Sequence, residues 1–121
     1  MGGQNILLLH HVGARSGTLY ITPLGYVEDS EGGRKAYVIV AAAAGQPKHP
    51  GWYYNLSKRP HTLIEIKGQK IKVKAEVASK EKRDKLWQEI SAKFPQFTIY
   101  EKKVARVIPI ILLYPQVGDS P

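Results

Sequence analysis

Residues 62–77 read TLIEIKGQKIKVKAEV. In the second half, Ile71, Val73, Ala75 and Val77 alternate with Lys70, Lys72, Lys74 and Glu76. Successive side chains of a strand point to opposite faces, so this half is a strand with one apolar and one wet face. The first half places Thr62, Ile64 and Ile66 on one face and Leu63, Glu65 and Lys67 on the other. Between the halves, Gly68-Gln69 reads as a two-residue type II′ turn with glycine first. The segment is therefore an antiparallel hairpin, and the chain on either side is read against it.

Toward the C-terminus, Ser79 is placed to cap a helix that carries Glu81 and Asp84 near the positive end of its dipole. Leu86, Ile90 and Phe94 recur every four residues, and Pro95 ends the pattern. A short helix over 96–103 and a buried strand over Arg106–Tyr114 follow, then a frayed tail over 116–121. Toward the N-terminus stand a short helix over Trp52–Ser57 and a strand over Lys35–Ala42. A strand over Thr18–Val27 carries Pro23, which marks an edge or a bulge. The glycine-bounded turn Gly13–Gly17 and an apolar strand over Asn5–His10 complete the chain. The sum is mostly β with α, in one domain over residues 1–121: about six antiparallel strands, one main helix, and short helices at the edge. Closure into a barrel removes the free sheet edges.

The chain has 121 residues, 43% hydrophobic and 23% charged, a globular composition for one domain. It has no cysteine, which excludes disulfides, thiolate nucleophiles and cysteine metal sites. No apolar run approaches the ~20 residues of a membrane-spanning helix. No export signal is visible, so a cytoplasmic setting is expected. Net charge is +8, with +1 over residues 1–57 and +7 over 58–121. That balance suits an anionic partner: nucleic acid, an acidic membrane surface, or a multiply charged small molecule. A solvated lysine face accounts for it equally well.

Four segments carry candidate chemistry. Gly13-Ala14-Arg15-Ser16-Gly17 offers backbone N–H groups, a guanidinium and a hydroxyl to a phosphate or carboxylate, or is an ordinary hairpin with an exposed arginine. In Ile21-Thr22-Pro23-Leu24-Gly25, proline and glycine leave room for a flat ligand, or mark a bulge. The alanines of 40–45 (VAAAAG) leave a shallow floor for a planar ring, or pack tightly under a helix. Residues 48–56 (KHPGWYYNL) start a helix behind Pro50, with aromatic faces at Trp52, Tyr53 and Tyr54 and an amide at Asn55 that can bond a ring edge. Trp52 and Leu56 also fit as core anchors. His10 and His11 point to opposite faces and His49 and His61 stand apart, so no metal site is expected. No nucleophile elbow or carboxylate pair is present, which fits chemistry carried by a bound cofactor.

Together these pieces resemble the deazaflavin-dependent nitroreductase family, reductases that use coenzyme F420. The matching pieces are Ile6–Leu9, Gly13–Gly17, Thr22–Leu24, Val38–Ala42, His49–Leu56, Glu81–Trp87, Phe94-Pro95 and Ile108-Pro109, spread over about residues 5–115. The resemblance implies a split β-barrel that binds F420, whose tail carries a phosphate and glutamates. It assigns that tail to Ala14, Arg15, Ser16, Tyr20, Ile21 and Thr22, and the next stretch to Pro23, Leu24 and Gly25. Val40, Ala41, Ala42 and Ala43 lie by the ring in this assignment. Gly51, Trp52, Tyr53, Tyr54 and Asn55 wall its other side, and Phe97 stands near ring and substrate. Relatives often carry a helix ahead of the first strand.

Three positions depart from the family pattern: Ala14 replaces one of two basic turn residues, Ala42 a serine, and Phe97 a tyrosine. Tyr100, whose phenol stands close to the Phe97 position, is the candidate proton donor or acceptor-side contact. The resulting expectation is a reductase that passes hydride from reduced F420 to a quinone, nitroaromatic or unsaturated lactone. The alternatives are an FMN-binding split-barrel flavoprotein and a small basic nucleic-acid-binding barrel. Against the latter, most lysines sit away from Trp52, Tyr53 and Tyr54, whereas base-stacking sites interleave the two. A homodimer and a peripheral contact with an anionic membrane are left open.

Overall fold

The computed structural model describes residues 5–116. Its strands are β1 (Asn5–Val12), β2 (Leu19–Glu31), β3 (Arg34–Val40), β4 (His61–Ile66), β5 (Gln69–Val77) and β6 (Ile110–Pro115). Every pairing is antiparallel, and the strands close in the order β1-β2-β3-β6-β5-β4. The helices are α1 (Gly51–Lys58), α2 (Lys80–Lys93) and α3 (Gln96–Lys103). This is the expected split-barrel class, mostly β with helices at the edge.

The β4–β5 hairpin turns one residue earlier than its glycine suggests. Lys67 and Gly68 form the turn with φ of 52° and 80°, the type I′ signature, and Ile66 pairs with Gln69. The turn expected at Gly68-Gln69 would set Lys67 opposite Lys70, a like-charge pair. The observed register sets Glu65 opposite Lys70 and Ile64 opposite Ile71.

β2 runs on to Glu31 and changes partner along its length. Residues 19–26 pair with β1, and Val27–Glu31 pair with β3. Among the described residues the first half therefore has a strand on one side alone, and the barrel is split there. Pro23 lies in this one-sided stretch, an edge position where a missing N–H is tolerated.

The core has two parts. Leu7, Leu9, Ile39, Ile64, Val73, Ile111 and Leu113 fill the barrel, and Trp52 and Leu56 of α1 pack with them. On the other face of β3 and β6, Val38, Ile110 and Leu112 pack against Leu86, Trp87 and Ile90 of α2. β3 and β6 are thus covered on both faces, which is why their sequences are nearly all apolar.

Ser79 caps α2 by accepting from the Lys82 N–H at 3.3 Å. The Lys82 ammonium lies 2.8 Å from both Asp29 and Glu31, tying α2 to the β2–β3 hairpin. Three expectations shift. Val77 is 54% exposed rather than inward. β6 begins at Ile110, and 104–109 are irregular. Gln116 is held by β5, its N–H donating to the Lys72 carbonyl at 2.9 Å. The rest of the expected tail, residues 117–121, lies outside the described residues.

Candidate functional site

Two hollows lie along the one-sided half of β2 and share Trp52. The larger, about 940 Å³, is lined by the 13–16 turn, by His11, Tyr20 and Thr22, by Lys48, and by Gly51, Tyr54 and Asn55 beside Trp52 on α1. Gly17, at φ 73°, closes the turn with its N–H on the Gly13 carbonyl at 3.0 Å. Lys58 and Arg59, at the end of α1, donate to the Ala14 and Gly13 carbonyls at 2.7 and 3.0 Å. The Gly13 and Ala14 carbonyls are thereby bonded, while the N–H groups of Arg15 and Ser16 and the Arg15 guanidinium have no partner among the described residues. Lys48 is also without an ion pair there. Free N–H groups and two uncommitted cations in one hollow favour a multiply charged anion.

A side-chain chain crosses the floor of this hollow. The Ala14 N–H donates to Asn55 Oδ1 at 2.8 Å, and Asn55 Nδ2 lies 2.9 Å from His11 Nδ1. His11 Nε2 lies 2.8 Å from Thr22 Oγ1, and the His11 ring stacks on Tyr20 at 5.5 Å. Burial, with His10 beside it, pushes the His11 pKa below the ordinary histidine value. Asn55 thus spends its amide on the turn and His11, where the sequence suggested a ring edge.

The smaller hollow, about 280 Å³, is apolar. Leu24, Gly25, Val40, Ala42, Ala43, Phe97 and Tyr100 line it with Trp52. Ala43 and Ala44 both adopt left-handed backbone, at φ 50° and 52°, a strain that non-glycine residues rarely carry. One side chain holds this loop: Arg106 donates to the carbonyls of Ala41 (3.2 Å), Ala42 (2.9 Å) and Gln46 (3.2 Å), and its Nη1 lies 2.8 Å from His49 Nδ1. This is why residue 106, expected to start the last strand, is drawn out of it. Gly45 takes φ 81°, and α3 passes so close that an added Cβ would lie 2.9 Å from Lys103 Cδ. Desolvation, then the Arg106 charge, lowers the His49 pKa below the ordinary value.

Of the residues singled out from the sequence, Ala14, Arg15, Ser16, Tyr20, Thr22, Gly51, Trp52, Tyr54 and Asn55 meet in the larger hollow. Four stand off both. Ile21 and Pro23 alternate onto the outer face of β2, where Ile21 is 52% exposed. Ala41 is fully buried in the barrel core. Tyr53 turns to the far side of α1, against His49 at 4.6 Å. His11, Lys48 and Arg106 were not singled out. In the sequence His11 reads only as a possible metal ligand, Lys48 only as part of a helix start, and Arg106 only as a strand residue.

Residues 1–115 match the family described as F420H(2)-dependent quinone reductase. An F420H(2)-dependent quinone reductase of Mycobacterium tuberculosis is 33% identical over 115 residues, covering 93% of this chain and 74% of that protein. A second M. tuberculosis protein, whose name assigns it the same activity provisionally, is 36% identical over 110 residues, 91% of this chain and 89% of that one. The solved structure of an F420-H2 dependent reductase superposes with a TM-score of 0.74 at 30% identity, covering 90% of this chain and 93% of that one. Another, described as a domain-swapped dimer, gives 0.75 at 30% identity over 90% of this chain and 79% of that one. With this fold, these hollows and this match, the chain belongs to the F420H(2)-dependent quinone reductase family, enzymes that draw their reducing equivalents from coenzyme F420.

Proposed function

We propose that the two hollows together are the F420 site and that the acceptor is a quinone. The cofactor's chemistry fits the residues present. Its tail is polyanionic, and the larger hollow holds Arg15, Lys48 and unpartnered turn N–H groups. Its deazaflavin ring is flat and largely apolar, and the smaller hollow is floored by Ala42 and Ala43 and walled by Leu24 and Trp52. The observation that carries the reading is the shared Trp52 wall, which sets one polar hollow and one apolar hollow side by side.

When bound, the deazaflavin supplies a hydride. Arg15, Lys48, Ser16 and Thr22 would hold the tail, and Gly25, Ala42, Ala43 and Trp52 the ring. Phe97 is packed 5.9 Å from Tyr100 and 6.1 Å from Trp87, and this aromatic wall would exclude water from the open side. Tyr100 has no hydrogen bond among the described residues and is the polar group free to meet an acceptor. No His, Cys or carboxylate lines the apolar hollow, so positioning is the protein's main contribution.

The quinone is supported by the family description, and the same site could pass hydride to a nitroaromatic or an unsaturated lactone. The test is F420H2 oxidation with each acceptor class in turn. A kcat/KM for the quinone at least tenfold above the others supports the proposal, and a nitroaromatic or lactone preference refutes it. Tyr100→Phe should lower turnover by less than the ~10²-fold minimum typical of losing a general acid. One structural neighbour is a domain-swapped dimer, so a dimer belongs to this reading and is checked by light scattering.

A further inference from the structure

We propose that His11 is a positioning residue that fixes the Thr22 hydroxyl as a hydrogen-bond donor aimed at the anionic ligand of the larger hollow. The argument is one of donor and acceptor bookkeeping. A backbone N–H can only donate, so the 2.8 Å contact from Ala14 makes the Asn55 atom it meets the carbonyl oxygen Oδ1. The amide's other end, 2.9 Å from His11 Nδ1, is then the NH₂ group, which can only donate. His11 Nδ1 must accept, so the single ring proton sits on Nε2. From there it is donated to Thr22 Oγ1 at 2.8 Å.

Thr22 has now taken a hydrogen bond, and its own O–H has no acceptor among the described residues. Both His11 and Thr22 line the larger hollow with Arg15, Lys48 and the 13–16 turn. A hydroxyl whose proton is held free, in a hollow that also carries two cations, favours a phosphate or carboxylate oxygen over a neutral group that must itself donate. The chain thus runs from the turn through α1 and β1 to β2, and it keeps the turn and Thr22 in register with each other.

The surroundings keep the ring neutral, as this chain requires. His11 is 6% exposed. His10 precedes it on β1, Tyr20 stacks on it from β2, and Arg15, Lys48 and Tyr54 share its hollow. Lys58 and Arg59 of α1 bond the carbonyls of the adjoining turn. None of these charged groups is an anion, and a second proton on His11 would set Nδ1–H against the Asn55 NH₂.

The ligand's identity rests on the F420 reading above, whereas the tautomer does not, so the test has two arms. In the free protein at pH 7.5, ¹⁵N NMR of the histidine side chains should show His11 Nδ1 unprotonated and Nε2 protonated. The opposite tautomer, or an imidazolium, overturns the proposal whatever F420 does. In the second arm, F420 affinity is measured for Thr22→Val, His11→Phe and the double variant. Each single change should weaken binding about fivefold to tenfold, and the double variant should be no weaker than the worse single one. His11→Gln, whose amide can still donate to Thr22, should recover most of the affinity. Independent, multiplying losses in the double variant, or full affinity in Thr22→Val, would overturn the proposal. A wild-type protein with the stated tautomer that binds no F420 would refute the cofactor reading while leaving the hydroxyl's orientation established.

Discussion

Arg106→Ala should both destabilise the protein and loosen its apolar hollow. The guanidinium satisfies the carbonyls of Ala41 and Ala42, two residues that are 0% and 4% exposed. Ala42 keeps the bond from the Gly45 N–H at 3.0 Å, so truncation strands the Ala41 carbonyl, and a buried acceptor left unsatisfied costs about 1–3 kcal/mol. The contacts to Gln46, an exposed residue, and His49 add less, since water can replace them. For a domain of this size 1 kcal/mol moves Tm by roughly 3–5 °C, so a fall of about 3–15 °C is expected. The effect should be local as well as global. The loop carries Ala43 and Ala44 at positive φ, and among the described residues Arg106 alone bonds its carbonyls at Ala41 and Ala42 from outside the loop. Arg106→Lys should recover less than half the loss, because one ammonium cannot bridge three carbonyls with a planar fork. Differential scanning calorimetry gives the Tm, and F420 titration gives the affinity. A Tm within 3 °C of wild type in Arg106→Ala, with unchanged F420 affinity, would refute the bracing role.

Other outcomes follow from the same contacts. His11 and His49 both have depressed pKa values in the folded state, so the unfolded chain binds more protons just below pH 6.5. Their contribution to stability is complete above that pH and is lost as pH falls through the lowered folded values; a denaturation midpoint that rises on acidification from pH 7 to 5 would contradict this. Lys82→Met removes both contacts of α2 to the β2–β3 hairpin, and should cost about 1–3 kcal/mol in urea unfolding, less at high salt. No loss at low salt would show that the ion pairs are merely surface contacts. Ala42→Leu puts a branched side chain into the floor of the apolar hollow, at about 1–3 kcal/mol of overpacking, and should abolish F420 binding in a protein whose far-UV circular dichroism is unchanged.

The barrel was legible because its hairpins alternate cleanly and its turns carry glycine. Periodicity does not say which of two residues leads a turn, however. Gly68 fits the first position of one turn type and the second of another, and the choice fell to the Glu65–Lys70 and Ile64–Ile71 pairings. The turn and the alanine loop stand out by composition, and each lines a hollow. What joins them does not. Arg106 lies 57 residues from His49, and His11 lies 44 from Asn55, so those hydrogen bonds exist only once the barrel has closed. Ile21 and Pro23 line neither hollow, since a contiguous motif on a strand gives only every second side chain to one face.

Titration of the purified protein with F420 and, separately, with FMN, followed by tryptophan fluorescence, tests the central claim most directly. Trp52 lines both hollows and is 7% exposed, so a ligand spanning them must change its emission. The expected result is saturable quenching by F420 at micromolar concentration or below, with FMN at least tenfold weaker because it lacks the polyanionic tail that Arg15 and Lys48 would meet. Equal affinity for the two, or no saturable response to F420, would contradict the account.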